Sequence, residues 1–155
     1  MLRQTRDDSS LGKLVASFIN TGRLAPDYLV MPIVTKRLAE PDCLDGCLFD
    51  GFPRTVSQAE KLDEYLKDHG DRLDLVLNLE VDQSELIHRI MKRAETENRA
   101  DDTPETVAAR LEVFQSQTAP VLNFYQDLGI VHPIDGMQTP DQVFQQVRQC
   151  VDRAK

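Results

Sequence analysis

Asp50, Arg54 and Gln58 put a carboxylate, a guanidinium and a carboxamide within one short stretch, Leu48-Phe49-Asp50-Gly51-Phe52-Pro53-Arg54-Thr55-Val56-Ser57-Gln58. Apolar residues run up to Asp50, Gly51 and Pro53 force an abrupt turn, and Arg54 stands at the mouth of the helix that follows. In an open α/β sheet ligands gather beyond the carboxyl ends of the strands, so an acid and an arginine placed there point to a metal and a phosphate. Gly51 has no Cβ, which lets a ligand or a second backbone come close. The Phe52-Pro53 bond stands in the kind of tight turn in which X-Pro bonds adopt the cis form. Gln58 lies one helical turn after Arg54 on the same face, and its amide both donates and accepts, as a base edge requires. The same residues also read as a buried strand, a proline turn and a solvated arginine, and a bare D-G-x-P-R does not separate the two readings.

Three further arginines carry possible chemistry. Arg89 and Arg93 sit four apart on one helix, flanking its apolar face; on pattern alone they are a solvated stripe beside Glu85 and Lys92, with small i, i+4 gains. Arg110 lies one step from Val107 and Leu111 around its helix, so its guanidinium turns towards the apolar side and calls for an anion, either a ligand or an internal carboxylate.

The elements that must position these groups alternate between helix and strand. Leu11, Leu14, Val15, Phe18 and Ile19 form a helical stripe that Gly22 ends. After the connector 21–27, Asp27 caps a second helix carrying Leu29, Val30, Ile33, Val34 and Leu38. A turn-rich loop, Pro41 to Gly46, leads into a strand over Cys47 to Asp50. The helix after Arg54 buries Ala59, Leu62, Tyr65 and Leu66 and ends near Gly70. Leu73 to Leu79 has the length and apolarity of a buried parallel strand. Asp82 and Ser84 open a helix with Leu86, Ile87, Ile90, Met91 and Ala94 inward. Thr103-Pro104 starts another, with Val107, Leu111, Phe114, Thr118 and Val121 along one stripe, which Pro120 bends or interrupts before Tyr125 and Gly129 ends. Ile130 to Ile134 is a further strand, and Asp141 begins a last amphipathic helix with Val143, Phe144, Val147 and Val151.

At 155 residues and a formal net charge of -8, the chain suits one domain and disfavours general binding to nucleic acid or an anionic membrane. A phosphate site must then be a local cluster, and arginine supplies twelve of the 18 basic residues. Cys43, Cys47 and Cys150 lack metal-ligand spacing and read as reduced cytoplasmic thiols, so no zinc is expected. No run approaches membrane-spanning length.

Asp50-Gly51-Phe52-Pro53-Arg54-Thr55 with Gln58-Ala59-Glu60 resembles the monophosphate-binding signature of the adenylate kinases, and the resemblance extends from Met1 to about Val151. It implies an α/β fold with a P-loop NTPase-like parallel sheet flanked by helices. About 1–45 would be the helical monophosphate-binding arm and about 94–103 a short lid, opened by Arg99 ahead of Asp101-Asp102. It implies phosphoryl transfer between ATP and AMP with Mg2+, giving two ADP, in the cytoplasm. Arg3 and Arg54 would hold the AMP phosphate, with Leu24, Ala25 and Gly51 about the nucleotide and Gln58 on the adenine. Arg89, Arg93, Arg99 and Arg110 would meet the transferring phosphates, Asp50 a magnesium-bound water, and Gly136 and Met137 the ATP adenine. Arg3 also reads as a frayed terminal residue. A UMP/CMP-type kinase is the near alternative, although Thr55 and Gln58-Ala59 resemble the adenylate form. A non-catalytic nucleotide-binding module is the distant one.

In the resembled fold a G-x-x-x-x-G-K loop and its strand lie centrally, between the strand ending at Asp50 and the strand Leu75 to Leu79. Nothing in the 155 residues matches that element; Gly12-Lys13 lacks the upstream glycine. A start placed too late, a chain cut from a longer one and a degenerate relative all fit. The expectation is a monomer when the fold is complete, and self-association or a loosely held Cys47 to Asp50 when it is not. Removing one preorganised donor at a transferring group costs roughly a hundredfold to a thousandfold in rate. The purified 155-residue polypeptide is therefore expected to show no ATP turnover in a coupled assay; turnover at ordinary enzyme rates would mean that other residues replace the loop.

Overall fold

The computed structural model of the chain describes residues 14, 17, 18, 23–97 and 103–154. The expected first helix, Leu11 to Asn20, falls almost wholly outside them, with Leu14, Ser17 and Phe18 helical. The described elements run α1 (Asp27–Leu38), α2 (Val56–Asp68), β1 (Val76–Glu80), α3 (Gln83–Glu97), α4 (Pro104–Val113), α5 (Ala119–Gln126), β2 (Val131–Asp135) and α6 (Pro140–Ala154). The architecture is mixed α/β: β1 and β2 pair in parallel, from Val76 opposite Val131 to Glu80 opposite Asp135, with helices around them.

Helix α2 is the wall on which the rest is hung. Thr55 caps its start by accepting from the Gln58 N–H, and His69 and Gly70 close its end, Gly70 in the left-handed region at φ 73°. One face sends Leu62 and Leu66 into a cluster with Ala25, Val30 and Phe52, which docks α1. The adjoining face sends Ala59 against Val121 and Tyr125 of α5 and, beyond them, against Val76 and Val131 of the sheet. Tyr125 is 1% exposed, and its hydroxyl lies 3.4 Å from an Asp63 carboxylate oxygen. Burial pushes the Tyr125 hydroxyl well above the usual phenol range, and it raises the Asp63 carboxyl too, against the bond from Tyr125.

One expectation needs correction and a second is sharpened. No strand forms over Cys47 to Asp50; 46–49 runs without regular structure and Leu48 is 87% exposed. A strand persists only where its N–H and C=O groups find a ladder, and among the described residues none lies beside this segment. The helix beginning at Pro104 is interrupted before Tyr125 as expected, although upstream of Pro120. A π-helical turn, Phe114–Thr118, separates α4 from α5, and Pro120 sits in the first turn of α5. Pro120 has no N–H to donate to the preceding turn, so the hydrogen-bond register changes upstream of it. The other elements differ from expectation only at their ends: β1 and β2 each begin and finish a little later, and α3 continues through Glu97 into the span 94–103 read as a lid. Residues 98–102 lie outside those described.

Leu62 is fully buried at the meeting of α1 and α2, where truncation leaves a void that neither helix fills readily. Leu62→Ala is expected to lower the unfolding free energy by about 2 to 5 kcal/mol in urea titration; a loss under about 1 kcal/mol would mean that the α1–α2 seam is not a packed core.

Candidate nucleotide site

The turn at Asp50-Gly51-Phe52-Pro53-Arg54 is built as its composition demands. Gly51 adopts φ 67°, a left-handed conformation costly for residues with a Cβ, and the Phe52-Pro53 peptide is cis. The Arg54 side chain folds back so that its Nε donates to the Gly51 carbonyl at 2.8 Å. A Cβ on Gly51 would fall 2.8 Å from Arg54 Nη2, so a side chain there would displace the guanidinium that lies over the turn, while the positive φ is what calls for glycine. Phe52 is buried against α1 and α2, which anchors the turn to the core.

The Arg54 backbone is held from both sides. Its N–H donates to Gln58 Oε1 at 2.8 Å, and its carbonyl accepts from the Thr118 hydroxyl at 3.0 Å. Thr118 is the last residue of the π-helical turn, so that irregularity brings the long helical segment onto the motif. Gln58 is 3% exposed and is the buried polar residue of the described core. Its Nε2 donates to Asp27 Oδ1 at 2.7 Å, and Asp27 also accepts from the Thr55 hydroxyl at 3.5 Å. Asp27, Thr55, Gln58 and Arg54 thus form one chain of bonds joining the start of α1 to the turn. A buried carboxamide needs partners at both ends, and here both are protein groups.

A second group forms at the carboxyl ends of the strands. The Gly136 N–H donates to the Glu80 carbonyl at 2.8 Å, and a Cβ on Gly136 would fall 2.6 Å from Val81 Cγ2, so the backbones meet there only because residue 136 is glycine. Arg89 reaches over from α3, its Nη1 donating to the Gly136 carbonyl at 2.8 Å and its Nε to Glu85 at 2.7 Å. The bond from Arg89 holds the Glu85 carboxyl below its ordinary range. Bonds from Gln138 and then from the Met137 N–H do the same for Asp135.

Of the expected site residues, the structure therefore joins Gly51, Arg54 and Gln58 in one cluster, with Asp50 exposed beside them, and Arg89, Gly136 and the half-exposed Met137 in another. Leu24 is partly buried and Ala25 buried in the connector leading to α1. Arg93 and Arg110 are partly buried on α3 and α4, which pack against each other. Arg3 and Arg99 lie outside the described residues. Among the described residues no group of three or more His, Cys, Asp or Glu side chains is set to hold a metal, and no helix is long and apolar enough to cross a membrane. A cavity of about 630 Å³ opens elsewhere, where the strands begin, lined by Asp63, Leu73, Ile130, His132 and Cys150 among others; it takes in none of the expected residues.

Two members of the first cluster escaped the sequence reading. Asp27 reads there as a helix cap, but it makes no such bond and pairs across 31 positions with Gln58. Thr118 reads as part of an apolar stripe, and no local signal points to its bond with the Arg54 carbonyl, 64 positions away.

The family model for adenylate kinase matches residues 1–130. An adenylate kinase of Maricaulis maris (strain MCS10) is 44% identical over 144 residues, which cover 92% of this chain and 77% of that one. An adenylate kinase of Thermobifida fusca (strain YX) is 44% identical over 137 residues, with 88% and 72% covered. One from Thermus thermophilus is 43% identical over 138 residues, with 89% and 72% covered. The match takes in the clamped turn, the buried glutamine and most of the arginines described above, and the chain belongs to the adenylate kinase family of nucleoside monophosphate kinases.

Proposed function

We propose that this chain carries the AMP-binding half and much of the phosphoryl-transfer half of an enzyme that interconverts ATP and AMP with two ADP. The observation that supports the reading best is the turn at Arg54, where a glycine at positive φ, a proline and two bonds to the Arg54 backbone fix the turn and the Gly51 carbonyl holds the guanidinium at the surface. A planar fork held in that way suits a monophosphate, which it can grip through two oxygens. Arg3 would share that phosphate, and Leu24, Ala25, Gly51 and Gln58 would bound the nucleoside. Residues 1–45 would be the arm that carries AMP, and 94–103 the short lid.

In the reaction an AMP phosphate oxygen attacks the γ-phosphorus of ATP, and the bond from that phosphorus to the β–γ bridging oxygen breaks. The proteins of this chemistry act by placing the two nucleotides in line and by offsetting charge on the phosphoryl oxygens. Arg93, Arg99 and Arg110 would supply that charge. Arg89, already bonded to the Gly136 carbonyl, would lie between the phosphates and the ATP adenine, with Met137 at the base. The donor chemistry at Asp50 suits magnesium: a lone exposed carboxylate is what this ion keeps through a water while taking its other oxygens from substrate phosphates. Bound there with ATP, magnesium would supply further charge neutralisation. The 155-residue polypeptide by itself is proposed to bind AMP without turning over ATP, because no G-x-x-x-x-G-K occurs within it.

Calorimetric titration with AMP and with UMP tests the nucleotide assignment. AMP is expected to bind the more tightly, and equal or tighter binding of UMP would transfer the chain to the pyrimidine class. Arg54→Lys, which keeps the charge and loses the fork, is expected to weaken AMP binding by about 1.5 to 3 kcal/mol. AMP affinity unchanged in that variant would remove Arg54 from the site.

A further inference from the structure

We propose that Asp27 is a specificity-determining positioning residue: it fixes which way round the Gln58 amide faces, and so which group at the purine 6-position that amide accepts. The inference deepens the AMP reading above and rests on its assignment of Gln58 to the base.

A carboxamide turned through 180° exchanges a donor for an acceptor at almost no steric cost, so its sense is set by its partners. Gln58 has one partner of each kind. The Asp27 carboxylate accepts from Nε2 at 2.7 Å, and the Arg54 N–H donates to Oε1 at 2.8 Å. Reversal would set Oε1 against the carboxylate and Nε2 against a backbone donor, and at 3% exposure no solvent offsets either loss. Of the two contacts Asp27 is the stronger determinant, because bonds to charged groups exceed neutral ones. What remains for a ligand is the second Nε2 hydrogen and the second Oε1 lone pair, in a fixed sense.

A 6-amino purine offers a donor at N6 beside an acceptor at N1, whereas a 6-oxo purine offers the reverse. An amide free to turn would serve both edges; a fixed amide serves one. At 3% exposure, Gln58 meets a nucleotide only through a local opening at its amide, with the bond to Asp27, the first residue of α1, kept in place.

The experiment compares AMP with inosine monophosphate, by calorimetry, on the full 155-residue chain and its Asp27→Asn variant, with thermal unfolding as a check on folding. Asparagine is isosteric and accepts or donates according to its own rotation, so it keeps the packing and removes the Asp27 share of the directional preference, leaving only the weaker one from the Arg54 N–H. The parent chain is expected to favour AMP, and Asp27→Asn to reduce that AMP-to-inosine preference about tenfold or more, chiefly by tightening the inosine nucleotide relative to AMP. If both affinities fall by one common factor, or the ratio stays put, Asp27 is structural and the proposal fails while the AMP reading stands. A parent chain that binds neither nucleotide, or does not distinguish them, overturns the Gln58 assignment and this proposal with it.

Discussion

The Gln58 carboxamide is the constraint on which the described structure turns. It is buried, so each end has to be bonded, and the bonds available reach in two directions: to Asp27 at the start of α1 and to the backbone of Arg54 in the Gly-Phe-Pro turn. The helix that carries Gln58 also carries Leu62 and Leu66 to α1 and Ala59 to α5 and the sheet. Apolar burial thus brings the helices together, and the amide fixes how α1 and the turn register against each other. Leaving a buried donor or acceptor unpaired costs about 1 to 3 kcal/mol, comparable to burying a whole aliphatic side chain, so this polar contact weighs as much in the seam as its neighbours do.

From that constraint follows the placing of charge. The chain is acidic as a whole, yet Arg54 and Arg89 are each tied to backbone carbonyls, of Gly51 and of Gly136. Both carbonyls belong to glycines at which a Cβ would crowd the arrangement, against Arg54 itself at Gly51 and against Val81 and Glu80 at Gly136. Guanidiniums oriented by neutral carbonyls keep their charge uncompensated at those contacts, which suits the phosphate roles proposed for them. Arg89 has Glu85 as well, on its exposed side, where an ion pair is worth little and an incoming polyanion can compete.

Local signals in the sequence were read well where the physics is local. Gly70 and Gly129 end helices with positive φ, Thr103-Pro104 opens one, and the apolar run around Leu77 is a strand. Gly51 and Pro53 were legible as a tight turn, with Arg54 at its exit, because each residue type restricts the backbone or supplies the charge directly. Cys47 to Asp50 failed as a strand because strand formation depends on a neighbour that no local pattern reports. Asp27 and Thr118 were misread for the same reason. Their partners, Gln58 and the Arg54 carbonyl, lie far along the chain, and an acid at a helix start or a threonine on a helix looks complete without them. Gln58 itself was assigned to a base edge from its type and its place one turn after Arg54; that its amide is already bonded at both ends emerged only with the fold.

In the proposed function the clamped turn aims the Arg54 guanidinium at the phosphate of a nucleotide whose base lies towards Gln58. Side-chain 15N–1H resonances of Arg54 Nε and Gln58 Nε2, followed through titrations with AMP and with adenosine, test this most directly. AMP should move both resonances along a single saturation curve, while adenosine moves the Gln58 resonance and leaves Arg54 near its starting position. An Arg54 resonance that stays still at AMP saturation, or that responds equally to adenosine, would contradict the account.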